Sequence, residues 1–406
     1  MKIIYLHQYF NTPDMGGSTR SFELAKRLVK AGHEVSIITS WRDGNKGKKW
    51  FSTIESGICV YWLPVSYSNE MGFYQRIFAF IKFMLGATMK AVRLQGDLVF
   101  ATSTPLTIVI PGIVSSKFKR VPFVFEVRDL WPEVPIALGI IKNRFLILAA
   151  RTLATIAYKS AVHVIALAPG MKTSIQNFQP KVRISVIPNG CDSDYFISNK
   201  QFNGIDEKQS WLGNKKMVLY AGTIGDVNNV EYLVDIAAEM KSIAPDVLFV
   251  VIGKGKRKQE VKDKAIRKEV FGFNFFLLDQ VSKKEIVFWY LRADMISVFY
   301  KAPDCATQNS VQNKFFDALS AGKPVVFEHQ GWSVKLLEEK GGALFIPPDD
   351  PKSAALRIFD ALKNESWLKS AGIASRRLGM EKFSRDKQAE ELETVFQEVL
   401  EEFHRS

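Results

Sequence analysis

The 406-residue sequence predicts an α/β protein made of two doubly wound, Rossmann-like domains. Two observations carry that expectation: short apolar runs alternate with helical patterns, and the alternation occurs twice in succession. In the first half, Lys2–Leu6, Glu34–Thr39, Leu98–Ala101, Pro122–Glu126 and His163–Ala168 read as strands with helices between them. In the second half, Met217–Ala221, Leu248–Ile252, Phe275–Leu278, Met295–Val298, Pro324–Phe327 and Gly342–Ile346 repeat the pattern. Strand–helix alternation gives parallel sheets covered on both faces. The length also exceeds what one ordinary core supports. From Pro188-Asn189-Gly190 to Lys215, turn residues and polar positions replace periodic hydrophobicity, so domains are expected over 1–195 and 196–385, followed by a terminal segment, 386–406.

Composition narrows the class. Hydrophobic content of 47% and charged content of 24% are those of a globular protein. No apolar run reaches the roughly 18 residues of a membrane span. The start, Met1-Lys2-Ile3-Ile4-Tyr5-Leu6, is too short before His7 and Gln8 for a signal peptide and reads as a first buried strand. Cys59, Cys191 and Cys305 are scattered, which fits a reducing cytoplasm and supports neither a disulfide framework nor a metal site; the five histidines show no ligand spacing. The net charge of +13 is confined to residues 1–200, which hold 25 Lys and Arg against 12 Asp and Glu, leaving 30 against 30 in the remainder. Such a basic half can face nucleic acid, anionic lipid or a polyphosphate. No nucleic-acid-binding motif accompanies it, so no nucleic-acid partner is expected.

Several segments can carry chemistry. In the stretch from Gln308 to Val326, polar groups precede a helix, Lys314 and Asp317 lie on its first turns, and Gly322-Lys323-Pro324 ends it before an apolar strand. Lys314 and the helix N-terminus can meet phosphate, and Asp317 can accept two hydroxyl hydrogen bonds from a ribose. Simple helix capping is the alternative. Met15-Gly16-Gly17-Ser18-Thr19-Arg20 opens the helix Ser21–Ala31 and allows close backbone approach to an anion, or is an ordinary loop; it lacks the Gly-x-Gly-x-x-Gly spacing of a dinucleotide oxidoreductase. Phe125 to Glu133 places Glu126, Arg128, Asp129 and Glu133 at the carboxyl end of a buried strand, where doubly wound folds bind ligands; a surface ion network is the other reading. Tyr220-Ala221-Gly222-Thr223 offers small residues, backbone N–H groups and a hydroxyl to a diphosphate. From Gly72 to Arg93, wound at about 100° per residue, Arg76, Lys82, Lys90 and Arg93 fall on one side and most apolar residues on the other. That pattern fits an interfacial helix on anionic lipid or a core helix with basic exposed positions.

The Gln308–Val326 stretch resembles the donor-binding signature of retaining glycosyltransferases of family 4. There, an acidic residue, seven others and a second acidic residue precede a Gly-x-Pro-Val turn. Asp317 matches the second acid, while Asn309 stands at the first. The resemblance extends over nearly the whole chain: Gly16-Gly17 match the family's glycine loop, Ile187 to Asp192 its interdomain segment, and Gly253-Lys254-Gly255 its Gly-x-Gly loop. It implies a GT-B fold with two domains facing across a cleft, and a terminal helix packing back towards the first. It further implies that Asp317 binds the nucleotide ribose and that Asn309 and Ser310 approach the diphosphate and donor sugar. Gly16, Gly17, Gly222 and Thr223 would line the phosphates, the segment at Val281 would meet the base, and Lys314 would replace a basic residue missing after the Gly222 loop. Arg128-Asp129 aligns with the family's His-Asp. Arginine cannot act as a base, so Asp129 and Glu133 are the candidates to orient or deprotonate the acceptor, with Arg128 on the donor diphosphate or sugar.

Within the family the chain is similar to N-acetyl-L-fucosamine transferases of O-antigen and capsule assembly. The implied reaction moves a sugar, with retention, from a UDP-sugar donor to a saccharide on undecaprenyl diphosphate. It needs no cofactor and, in the absence of an Asp-x-Asp motif, no metal. The basic first half would hold the protein peripherally on the inner face of the cytoplasmic membrane. Two other readings stay open: a UDP-sugar 2-epimerase of the same fold, and a non-catalytic nucleotide-sugar-binding partner in an assembly complex.

Overall fold

A computed structural model describes residues 1–15, 17–42, 47, 49–67, 71–198, 211–309 and 312–405. Its contacts divide the chain into two compact units: one of Met1–Thr12, Gly17–Pro188 and Arg385–Ser406, the other of Pro13–Gly16 and Asn189–Ser384.

The first domain holds β1 (Lys2–Leu6), β2 (Glu34–Trp41), β3 (Phe51–Glu55), β4 (Ile58–Pro64), β5 (Leu98–Thr102), β6 (Phe123–Val127), β7 (His163–Ala166) and β8 (Ile184–Val186). They form one sheet in the order β3-β4-β2-β1-β5-β6-β7-β8, parallel except for the antiparallel β3–β4 pair. β5 and β6 are buried along their whole length, as strands covered on both faces must be. The direction in which strands are added reverses between β1 and β5, which opens a crevice at their carboxyl ends. β3, β4 and β8 are not among the strands expected from the sequence. The β3–β4 hairpin turns through Ser56 and Gly57, both at positive φ, but only glycine advertises such a turn. β8 is three residues long, too short for a period to show.

The second domain holds β9 (Met217–Ala221), β10 (Leu248–Ile252), β11 (Phe275–Leu278), β12 (Met295–Ser297), β13 (Val325–Phe327) and β14 (Ala343–Phe345), in the order β11-β10-β9-β12-β13-β14. All its pairings are parallel, and the reversal lies between β9 and β12. The doubly wound architecture expected from the alternation is therefore present in each domain. The division falls at Pro188–Asn189, ahead of the expected 195, because Cys191 and Phe196 are buried in the second domain's core, where Phe196 meets Tyr290 edge-on at 5.9 Å. The final helix, Arg385–Arg405, belongs to the first unit. There Asp386 meets Arg27 at 2.5 Å, Glu393 meets His33 at 2.9 Å, and Phe396 packs on Phe100 of β5.

The Phe73–Arg93 helix differs from the expected two-sided pattern. Ala79, Phe83, Ala87 and Ala91 form its buried face, while Tyr74, Phe78, Ile81, Leu85 and Met89 form an exposed stripe on the opposite side. Lys82 donates to the Pro64 carbonyl and Lys90 sits over the Tyr61 ring at 3.8 Å, so the basic residues flank the buried face. Among the described residues, no helix is long and apolar enough to cross a membrane.

Candidate functional site

In the second domain the site grows from two glycine loops at the carboxyl ends of β9 and β10. A Cβ at Gly253 would lie 1.9 Å from the Gly222 carbonyl oxygen, and one at Gly255 would lie 2.1 Å from that of Ile224, so only glycine permits this backbone-on-backbone contact. The Gly222 N–H donates to Ile252 O (2.9 Å) and the Ile224 N–H to Lys254 O (3.0 Å). Gly222 thus has no N–H to offer a diphosphate, contrary to the sequence expectation. The Thr223 N–H between them has no partner among the described residues.

Beside this loop the Asn313–Ala321 helix begins at Gln312 without a side-chain cap, so its first turn has free N–H groups. The enclosed Gln312 amide has no hydrogen-bond partner among the described residues. Lys314, 7% exposed, donates to the Tyr220 hydroxyl at 2.9 Å and lies over that ring at 4.0 Å. Its aliphatic end packs 3.6 Å from the position of a Cβ on Gly222. No carboxylate of the described residues comes within ion-pair distance of it. Burial accordingly pushes its pKa down to about 7, with Glu328 pulling the other way. A buried cation without a counter-ion, next to an uncapped helix start, is a place for an anion. Asp317 is half-buried one turn beyond Lys314. Burial pushes the hydroxyl of buried Tyr290 far up, and the Asp317 carboxylate adds to that. Asn309 is buried in the segment leading to the helix, and Val281 is half-buried before the Ser282 cap of the Lys283–Arg292 helix. Gly16 and Ser310 lie outside the described residues.

In the first domain the crevice between β1 and β5 is a cavity of about 450 Å³. Tyr9, Tyr67 and Phe80 make an aromatic wall, with ring centroids at 4.9 and 5.8 Å, and Arg42, Arg128, Asp129 and Trp131 complete it. Arg128 donates to His7 Nε2 (3.2 Å) and to Ser18 Oγ (3.2 Å). Because a guanidinium only donates, His7 accepts at Nε2 and carries its proton on Nδ1, which has no partner among the described residues. Burial, then Arg128 and Arg42, hold His7 well below its usual pKa, so it is neutral. Asp129 is crowded by protein but open to solvent; this crowding raises its pKa and Arg128 opposes the shift. At Gly17, with φ 127°, a Cβ would lie 2.9 Å from the amide nitrogen of Asn11, which donates to the Tyr9 and Ser18 carbonyls at 3.3 and 3.2 Å.

Glu126, behind the pocket, is fully buried. It accepts from Arg20 at 2.8 and 3.0 Å and from Thr102 at 2.6 Å. Burial pushes its carboxyl up, but the charge and hydrogen bonds of Arg20 outweigh that and hold it low. The structure therefore brings Arg128 and Asp129 together and separates Glu133 from them. Glu133 is exposed and makes a two-armed pair with Arg151 at 3.1 Å for each arm, the surface ion network that was the alternative reading. His7, Arg42 and Gln312 were not singled out from the sequence. Their one advance signal was position, directly after a buried strand or before a helix.

Two family models match: Glycosyltransferase Family 4 over residues 15–195 and Glycosyl transferases group 1 over residues 215–364. The chain is 26% identical over 201 residues to spore coat protein SA of Bacillus subtilis (strain 168), covering 47% of this chain and 52% of that protein. It is 21% identical over 296 residues to the putative colanic acid biosynthesis glycosyl transferase WcaI of Escherichia coli (strain K12), covering 68% and 72%. In three dimensions it is similar to the sucrose-phosphate synthase of Thermosynechococcus elongatus, with a TM-score of 0.77, 15% identity and all of both chains covered. It is also similar to Anabaena Alr3699/HepE in complex with UDP-glucose, with a TM-score of 0.69, 15% identity, and 98% and 100% covered. The two family models thus match the two domains in order, and the arrangement of a doubly wound sheet in each domain is the fold of the GT-B glycosyltransferases.

Proposed function

We propose that the protein is a retaining, metal-independent glycosyltransferase. It moves an N-acetylated amino sugar, L-FucNAc in the narrowest form, from a UDP-sugar to a saccharide on undecaprenyl diphosphate in O-antigen or capsule assembly. The second domain holds the donor and the first the acceptor. The observation that carries this reading is Lys314, a buried ammonium without a carboxylate partner beside the Gly222 loop and the uncapped Asn313–Ala321 helix. That arrangement suits a diphosphate, whose negative charge grows as the sugar leaves. Asp317 binds the ribose, and Asn309 and Ser310 approach the sugar. Arg128 adds charge and Asp129 orients the acceptor hydroxyl, which attacks from the face the leaving group departs. The UDP-glucose complex of the Anabaena protein and the colanic acid biosynthesis in the name of the E. coli relative support the donor class and the pathway type.

Membrane association rests on the exposed stripe of the Phe73–Arg93 helix, where Phe78 is 69% and Leu85 is 56% exposed. The same helix carries Phe80 into the first-domain pocket, so a carrier's lipid and its sugar head would meet one element. With the basic excess of residues 1–200, the occupant of this face is an anionic bilayer.

The test incubates the protein with a panel of UDP-N-acetyl-amino sugars and a polyprenyl-diphosphate saccharide, following UDP release and the anomeric configuration of the product. Asp317→Ala is expected to abolish UDP binding and turnover; wild-type turnover by that variant rejects the site, and an inverted product rejects the mechanism.

A further inference from the structure

At the amino-terminal ends of β9, β12 and β13, on the edge of the second sheet opposite the glycine loops, lies a cavity of about 660 Å³. Its lining includes Lys216, Asp294, the Gly322-Lys323-Pro324 turn and one face of the Glu365–Lys382 helix. That helix is seated hard against the turn, since a Cβ at Gly372 would fall 2.5 Å from the Gly322 carbonyl oxygen.

The charges are unbalanced. Lys216, Lys323, Lys369, Arg376 and Arg377 line the cavity against three carboxylates, an excess of two positive charges. Lys216 is answered by Asp294 at 3.3 Å and Glu365 at 3.8 Å, and Arg377 by Glu381 at 2.7 Å. Arg376 donates to Ala321 O at 3.0 Å and keeps further N–H groups. The ammonium groups of Lys323 and Lys369 have no hydrogen bond or ion pair with any described residue. Burial lowers the pKa of Lys323, and Arg292, Arg376 and Lys216 add to that against the pull of Asp294. Leu368, Ile373 and Met380 supply apolar surface beside these cations.

We propose that this cavity is a second ligand site, for a small molecule that carries a phosphate group on a partly apolar body. The excess of two charges complements a phosphate dianion, and a guanidinium fork with two ammonium groups matches its oxygens. The Gly-Lys-Pro turn, which the donor site leaves unused, is then a binding element through Lys323. The proposal stands apart from the assignment of the glycine-loop site.

Inorganic phosphate serves as the probe, titrated into the full chain by calorimetry at constant ionic strength. We expect a binding step that the combined Lys323→Gln and Lys369→Gln variant weakens by about tenfold or more, and that Lys314→Gln keeps. Undiminished binding by the double variant overturns the proposal. So does no binding by the wild type, or a step lost only in Lys314→Gln, which would send the phosphate to the glycine loops. Lys369 is exposed on a helix, so Lys369→Gln alone folds normally and is expected to weaken the step by about threefold; no change in it also counts against the site.

Discussion

The glycine loops of the second domain and the aromatic-walled pocket of the first occupy equivalent places, the carboxyl ends of strands where a doubly wound sheet reverses, yet they are made of opposite materials. The second-domain site is backbone stacked on backbone at Gly222, Gly253, Ile224 and Gly255, with one buried ammonium and a bare helix start. The first-domain pocket is side chains throughout: Tyr9, Tyr67, Phe80 and Trp131 with Arg42, Arg128, His7 and Asp129. Backbone and a single cation recognise what all nucleotide diphosphates share, whereas a wall of side chains is specific to one shape. The charge asymmetry between the halves matches, since residues 1–200 carry the whole basic excess.

The largest expected effect tests what supports the first-domain pocket. Glu126→Ala leaves the buried Arg20 guanidinium without its carboxylate and should destabilise that domain by about 3–5 kcal/mol. Chemical denaturation measures this, and a loss below about 1 kcal/mol would mean that the pair does not hold the pocket. On the other side of the comparison, Lys314→Gln should lower turnover by about 10²–10³-fold with little change in the acceptor KM. A rise in acceptor KM instead would count against the proposal that the second domain holds the donor and the first the acceptor.

The pH behaviour of Lys314 is a finer test. Its folded pKa of about 7 lies below the ordinary 10.5. The penalty for burying its charge is therefore fully present below pH 7 and is relieved as pH rises from about 7 towards 10.5, where the folded protein holds fewer protons than the unfolded chain. A bound diphosphate favours the charged form, so UDP binding at about pH 8 should take up a proton and weaken as pH rises further. Calorimetry in buffers of different ionisation enthalpy reads that uptake; binding without it means that Lys314 does not meet the phosphates. The smallest effect belongs to Glu133. Its pair with Arg151 is exposed, so Glu133→Gln should change turnover by less than about twofold, against a loss of about 10²-fold for Asp129→Asn. Equal losses would return Glu133 to the site.

Local pattern and site legibility diverge at specific residues. β9 and β10 were readable to the residue because a strand buried on both faces is an unbroken apolar run. The β3–β4 hairpin was not, because Ser56 does not announce positive φ. Lys314 was readable because a lysine at the start of a helix after a polar run is a local signal. The Arg128–His7 contact was not, since its partners are 121 residues apart and meet only when β1 and β6 enter one sheet. The Phe73–Arg93 helix shows the same limit: its apolar residues were visible, but which of them face solvent depends on which side packs against the neighbouring helix and sheet.

The sequence by itself determined the two doubly wound domains, the family-like donor signature and the side of the chain that carries the charge, because periodicity, motif spacing and composition are local or additive. Tertiary structure alone decided that Lys314 is buried without a counter-ion, that Asp129 shares a pocket with Arg128 while Glu133 turns outward, and that Lys323 faces a second cavity. Burial, ion pairing and pKa depend on distances between residues far apart in the chain, and those distances exist only once the sheets have formed.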